Sequence, residues 1–282
     1  MMFSPSESEA KFFNRFAAVV VTGGSSGIGN EFLKALSTLC PAAVVCNLSR
    51  TQPDNFPASA RHLHVKCDLT QEAELMAAVD AVREKISSAP AGPVLLVNNS
   101  GFGGYGTFPA PGLARNMAML AVNVLAPVHL TGLLWEELSG RGGWVVNVSS
   151  IGGFQPTPFM GVYGAAKTFV LHWSLALNAE GRKTGVRALA VCPGVTRSAF
   201  FKNAGYGEEQ VPGSTQTPER VVAESLRALA RGKSMVVTGW VNKLSVFFSA
   251  RLPKPVSAFF AYHAIDRLRM KGVAGRAEDD LS

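Results

Sequence analysis

The sequence predicts an α/β protein: a single doubly wound domain with a parallel sheet, plus a C-terminal amphipathic helical extension. Three observations predict it. Short apolar runs of strand length alternate with longer runs of helical spacing, and a parallel sheet needs apolar strands because helices cover both of its faces. A glycine-rich turn joins the first strand to a long helix. No Pro/Gly/Ser-rich linker and no internal repeat divides the 282 residues, so a length that fits one large domain or two small ones is assigned to one.

Residues 1–10 are polar and acidic, and residues 1–14 are set apart as an N-terminal tail. They lack a basic region followed by an apolar stretch, so no secretion signal is expected. Residues 16–22 (Phe-Ala-Ala-Val-Val-Val-Thr) form the first strand. Thr22-Gly-Gly-Ser-Ser-Gly-Ile-Gly29 turns, and Phe32, Leu33 and Leu36 then recur at helical spacing. Strands follow at 42–48, 63–67, 94–97, 144–148 and 186–191. Helices are expected at 72–86, 115–138 and 162–179. The domain spans 15–239, and residues 240–282 form the extension.

Strand, glycine turn and helix together are the setting in which a helix N-terminus receives a dinucleotide pyrophosphate. Gly23 permits the tight turn, Gly27 allows close approach of the anion, and Gly29 lets helix and strand pack closely. Further along, Tyr163 and Lys167 stand four apart and share a helical face, while Ser150 follows the strand at 144–148. A phenol has an ordinary pKa of about 10, and a neighbouring ammonium is expected to lower it. With Ser150 holding a carbonyl oxygen and Tyr163 protonating it, this is equipment for reducing a ketone or aldehyde.

Thr22-Gly-x-x-x-Gly-x-Gly29, Cys67-Asp-Leu-Thr70, Asn98-Asn-Ser-Gly101, Asn123, Ser150, Tyr163-x-x-x-Lys167 and Pro193-Gly194 occur in the order and spacing of the short-chain dehydrogenase/reductase family. The chain resembles that family over roughly residues 15 to 240. The resemblance implies a Rossmann-type domain with Asn123, Ser150, Tyr163 and Lys167 as catalytic residues, Asn123 joining a water-linked proton relay through Lys167. It implies a cofactor site of Thr22, Gly23, Ser25, Ser26, Gly27, Ile28, Gly29, Ser49, Arg50, Asp68, Leu69, Asn99, Ser100, Gly101, Tyr163, Lys167, Pro193, Gly194, Val195 and Thr196. Asp68 would sit near the adenine, Lys167 on the nicotinamide ribose and Thr196 on the carboxamide. Ser100 replaces the family's usual Ala. The segment Val236-Val-Thr-Gly-Trp-Val-Asn-Lys243 departs from the ending common in the family's fatty-acid-synthesis reductases.

The second strand ends in Ser49-Arg50, with no acidic residue before Asp54. An acid near this point binds a ribose 2′-OH, whereas Arg accommodates a 2′-phosphate in a bidentate fork. NADP(H) is therefore expected in preference to NAD(H), with Ser49 adding a hydrogen bond. Phe102, Phe154, Phe200, Phe201 and Tyr206 are placed on loops around the cleft as an apolar wall, which suits a small hydrophobic carbonyl substrate.

The net charge of +7 invites a nucleic-acid reading, but no basic cluster is interleaved with aromatics and no such motif is present. Cys40, Cys46, Cys67 and Cys192 lie in or beside expected core elements, without metal-ligand spacing, and read as small buried hydrophobes. No metal site is expected. No run reaches 18 apolar residues, so no membrane span is predicted, and a cytoplasmic protein is expected.

In the extension, Trp240, Leu244, Phe247 and Phe248 share one helical face, and Phe259, Tyr262, Ile265 and Leu268 another. Lys243, Arg251, Lys254, Arg267, Arg269 and Lys271 flank them, balanced only by Asp266. Such helices pack over the cleft or form a subunit interface, lie on a membrane surface through residues 240–271, or bind an acidic protein. A homodimer or homotetramer is expected by the resemblance. The reading is an NADP-dependent carbonyl reductase acting on a hydrophobic ketone or aldehyde. The alternatives are a 3-oxoacyl reductase of carrier-linked substrates and a non-catalytic NADP(H)-binding redox sensor or scaffold.

Overall fold

A computed structural model of the chain describes residues 3–54, 56, 59–198, 200 and 216–263, with the side chain of residue 182 left aside. Seven parallel strands, β1 (Ala18–Thr22), β2 (Val44–Ser49), β3 (His62–Lys66), β4 (Val94–Asn98), β5 (Trp144–Val148), β6 (Arg187–Cys192) and β7 (Met235–Val237), form one sheet. Their order is β3-β2-β1-β4-β5-β6-β7. Because side chains alternate across a strand, Val19 and Val21 enter one core and Ala18 and Val20 the other.

The first core lies under α1 (Glu7–Asn14), α2 (Gly27–Leu39) and, in the order taken here, α8 (Pro218–Ala230), and joins Phe13, Phe32, Leu36, Val97, Val191 and Leu226. The second lies under α3 (Glu72–Ser87), α5 (Ala126–Leu133), α6 (Trp135–Arg141) and α7 (Gly161–Thr184), and joins Leu48, Val79, Ile86, Leu96, Leu130, Leu138 and Leu177. This is the doubly wound parallel arrangement. The strand order reverses between β1 and β4, and ligands in such folds bind in the crevice outside the carboxyl ends of strands at that switch point.

Two local expectations change. The segment set apart as a polar tail contains α1, whose N-cap Ser6 and Glu9 form a reciprocal capping box. Phe13 on it is fully buried, so this helix contributes a wedge to the first core. The long helix expected at 115–138 is instead α4 (Leu113–Leu120), a wide π-type turn (Ala121–Leu125), α5 and α6. The wide turn carries Asn123, which is buried. The stretch Leu113–Leu133 has the length and apolarity to cross a membrane, yet Met119 and Leu130 on it are buried in this domain. After β7, α9 (Trp240–Ser249) and a helix over residues 254–263 begin the extension.

Candidate active site

A cleft of about 1060 Å³ opens at the carboxyl ends of β1, β2, β4, β5 and β6. One end is the glycine turn. Gly23 adopts φ +68°, and its N–H donates to the Leu48 carbonyl at 2.8 Å. A Cβ at Gly29 would stand 2.2 Å from the Gly23 oxygen, so a side chain there would separate α2 from the turn. Thr22 Oγ1 accepts from the backbone N–H groups of Asn99 and Ser100, and Asn99 Nδ2 donates to the Thr22 and Gly23 carbonyls. Thr22 and Gly29 thus tie β1, α2 and the end of β4 together, and neither lines the cleft. Ser25, Ser26, Gly27 and Ile28 do line it. Ser26 at the start of α2 makes no side-chain cap bond, which leaves first-turn N–H groups suited to an anion.

Arg50 lies at the cleft's edge beside Thr51 and Asp68. The Asp68 carboxyl is held below its usual range, first by the Thr70 backbone N–H, then by the Thr70 hydroxyl and the nearby Arg50 charge. Ser49 lines the cleft too, but its hydroxyl donates to the Thr51 carbonyl at 2.8 Å and accepts from Asn47 Nδ2 at 2.9 Å. That proton is held by the loop following β2, so the expected bond from Ser49 to a phosphate would replace the one to Thr51. Asn47 also accepts from the Gly24 N–H at 3.0 Å. It belongs to no spacing motif, and a lone Asn inside the apolar run 42–48 is the signal that could have marked it.

The other end holds the reactive side chains. Asn98 Nδ2 donates to Asn147 Oδ1 at 2.8 Å, and Asn147 Nδ2 donates to Ser174 Oγ at 2.9 Å, which clamps β4, β5 and α7 in register. Ser150 caps the short 3₁₀ turn Ile151–Gly153, its Oγ accepting the Gly152 N–H at 3.1 Å. The same hydroxyl is hydrogen-bonded to the Tyr163 phenol. Lys167 is buried, donates to the Val148 carbonyl at 2.9 Å, and its Nζ lies 5.8 Å from the Tyr163 ring centre.

Burial pushes the Tyr163 phenol up to about 12, opposed by the Ser150 hydrogen bond. That direction is opposite to the lowering expected from the ammonium: removing phenolate from water outweighs the Ser150 hydrogen bond, the cause that opposes it. Lys167 itself is brought down to about 8 by burial.

Asn123 does not line the cleft; it bonds the backbone of Phe102. It remains near Lys167, since a Cβ at Gly101 would lie 2.6 Å from Asn123 Oδ1 and 3.2 Å from Lys167 Nζ. Leu69, Asn99, Ser100, Gly101, Pro193, Gly194, Val195 and Thr196 all line the cleft, as do Phe102 and Phe200. The Phe200 ring packs 5.3 Å from that of Tyr163.

Phe154 departs from the expected wall. It packs against Leu171, Cys192 and Val237 and does not line the cleft, whereas its neighbours Gln155 and Thr157 do. Phe201 and Tyr206 lie outside the described residues. Tyr105, Arg115 and Met160 also line the cleft; nothing in their sequence spacing distinguished them.

Each of the four cysteines is buried without a disulfide, and burial pushes the Cys192 thiol up to about 12. Among the described residues no group of His, Cys, Asp and Glu is arranged to hold a metal.

A family model described as short chain dehydrogenase matches residues 17–209. The chain is 27% identical over 276 residues to a ketoacyl reductase, HetN, of Nostoc sp., covering 93% of this chain and 94% of that protein. It superposes on a short-chain dehydrogenase from Sphingobium yanoikuyae in complex with NADPH with a TM-score of 0.70 at 24% identity, over 84% of this chain and 94% of the other. A 7β-hydroxysteroid dehydrogenase superposes with a TM-score of 0.71 at 22% identity, over 88% of this chain and 98% of the other.

Proposed function

Because the chain belongs to the short-chain dehydrogenase/reductase family and is an NAD(P)-dependent oxidoreductase acting on CH–OH groups, we propose that it is an NADP-dependent reductase of a hydrophobic ketone or aldehyde. One observation carries this reading: the hydrogen-bonded pair Ser150–Tyr163 shares one cleft with the glycine turn and Arg50.

The residues present fit a dinucleotide. The uncapped start of α2 and the turn at Gly23 and Gly27 suit a pyrophosphate, and Arg50 suits a 2′-phosphate. Asp68 and Leu69 would flank the adenine, and Pro193 to Thr196 the nicotinamide. When bound, the nicotinamide supplies the hydride. Ser150 donates to the substrate oxygen and orients it. Tyr163, neutral throughout the physiological range because its phenol sits near 12, gives its proton to that oxygen as negative charge develops. Lys167 is the neighbouring cation that favours the transient phenolate, and Asn123 holds the backbone of the loop carrying Phe102 beside it. Phe102 and Phe200 supply apolar contact for the substrate.

The exposed Leu113, Met117, Leu125 and Phe169 on α4, the wide turn and α7 support a homodimer or homotetramer built on these helices, which light scattering would test. The likeness to a ketoacyl reductase along nearly the full length supports a second reading, in which the ketone arrives on a carrier.

The deciding experiment follows NADPH and NADH consumption with ketones graded from short polar to long apolar, each compared with 3-oxoacyl groups free and carrier-linked. Turnover with NADPH that rises with apolar size supports the proposal. Turnover confined to carrier-linked substrates supports the second reading. Tight NADPH binding with no turnover on any substrate would favour a redox sensor.

A further inference from the structure

The helices after β7 have their faces reversed. In α9 the positions turned toward the protein body are Asn242, Val246 and Ser249, while Trp240 is 70% and Phe248 60% exposed. The helix over residues 254–263 repeats this: Ser257 is buried, whereas Phe259 and Phe260 are 59% and 60% exposed. A surface helix ordinarily turns its apolar stripe to the core. Two consecutive helices that seat small or polar residues inward and present aromatics outward expose apolar surface that calls for an occupant.

The charge on the patch selects that occupant. Between residues 240 and 263 there are three cations, Lys243, Arg251 and Lys254, and no Asp or Glu. Lys243 keeps a 3.6 Å ion pair with Glu224 at the inner edge. The Arg251 guanidinium lies 3.6 Å from the centre of the exposed Phe247 ring, a long side chain laid over apolar surface with its charge at the margin. A two-fold contact with a second copy would set this acid-free basic surface against itself, with no carboxylate on the patch to pair. A bilayer with anionic headgroups answers both features, accepting the aromatics and balancing the cations.

We propose that α9 and the helix following it dock this protein onto the surface of an anionic lipid bilayer. The patch is joined to the cleft's rim. Lys254 Nζ donates to the Phe154 carbonyl at 2.9 Å, and the Tyr262 ring lies 5.3 Å from Phe159, itself 6.2 Å from Tyr105 in the cleft lining. Docking would thus hold the cleft mouth close to the lipid, a consequence that rests on the hydrophobic-substrate reading; the docking itself does not.

The test is flotation of the full chain, without substrate or cofactor, with vesicles of phosphatidylcholine alone or containing phosphatidylglycerol. Binding is expected to be about tenfold stronger with the anionic lipid, to weaken in high salt, and to be lost in the triple variant Phe248→Ser, Phe259→Ser, Phe260→Ser. These positions are exposed, and matching circular dichroism melts would confirm that the variant folds. No flotation of the wild-type chain with either vesicle would overturn the proposal. So would a wild-type dimer that the triple substitution converts to monomer, since the patch would then belong to a second copy.

Discussion

The Asn123 side-chain amide closes a ring with the backbone of Phe102, accepting its N–H at 3.2 Å and donating to its carbonyl at 2.9 Å. One buried residue in the wide turn before α5 therefore sets the height of the cleft loop carrying Phe102, and both of its polar groups have protein partners. Asn123→Ala would leave two backbone groups unpaired, a loss of about 1–3 kcal/mol. Thermal melts should show the lower stability, and KM for an apolar ketone should rise more than kcat falls. A fall in kcat alone, with unchanged stability, would point instead to a relay role.

Tyr163→Phe removes the proposed acid and keeps the ring that packs on Phe200. Turnover should fall by about 10²–10⁴-fold while NADPH titration gives an affinity within a factor of about two of wild type, a difference of some 0.4 kcal/mol. Near-normal activity would sink the assigned chemistry.

Arg50→Ala tests cofactor choice. Loss of a charge-assisted bond to a 2′-phosphate is worth roughly 1.5–3 kcal/mol. The Kd for NADPH should rise about 10–100-fold, with little change for NADH. Equal weakening of both cofactors would show that Arg50 reads no 2′-phosphate.

Lys167 makes stability depend on pH in a defined window. Its folded pKa, about 8, lies below its ordinary 10.5, so between these values the unfolded chain binds more protons and stability rises with pH. The penalty is full below about pH 8 and is relieved as pH approaches 10.5. Chemical denaturation at pH 7.5 and 9.5 should show wild type gaining about 2 kcal/mol relative to Lys167→Met over that interval. Identical pH dependence in the two proteins would contradict the burial effect.

Phe13→Ala tests whether α1 belongs to the domain. The ring is fully buried and meets Phe12 edge-on at 5.1 Å, so truncation should cost about 3–5 kcal/mol, read as a lower denaturation midpoint. An unchanged midpoint would restore residues 1–14 to the status of a tail.

Much of the fold was legible because its signals are local. Apolar runs mark the parallel strands, Gly23, Gly27 and Gly29 mark a turn that backbone sterics demand, and a spacing of four puts Tyr163 and Lys167 on one face whatever surrounds them. The alternation of strands and helices also placed the turn at the sheet's carboxyl edge.

What depends on distant atoms was decided only by the tertiary structure. Periodicity shows that Trp240, Leu244 and Phe248 share a face but is indifferent to which side of the helix meets the body, and here that side is Asn242 and Ser249. Phe154 packs into the apolar cluster of Leu171, Cys192 and Val237 and not into the cleft, and spacing along the chain carries no record of which of the two it joins. The direction of the Tyr163 pKa shift sets the desolvation from every packed neighbour against one hydrogen bond, from Ser150. The sequence named the two groups, and only their burial determined which effect prevails.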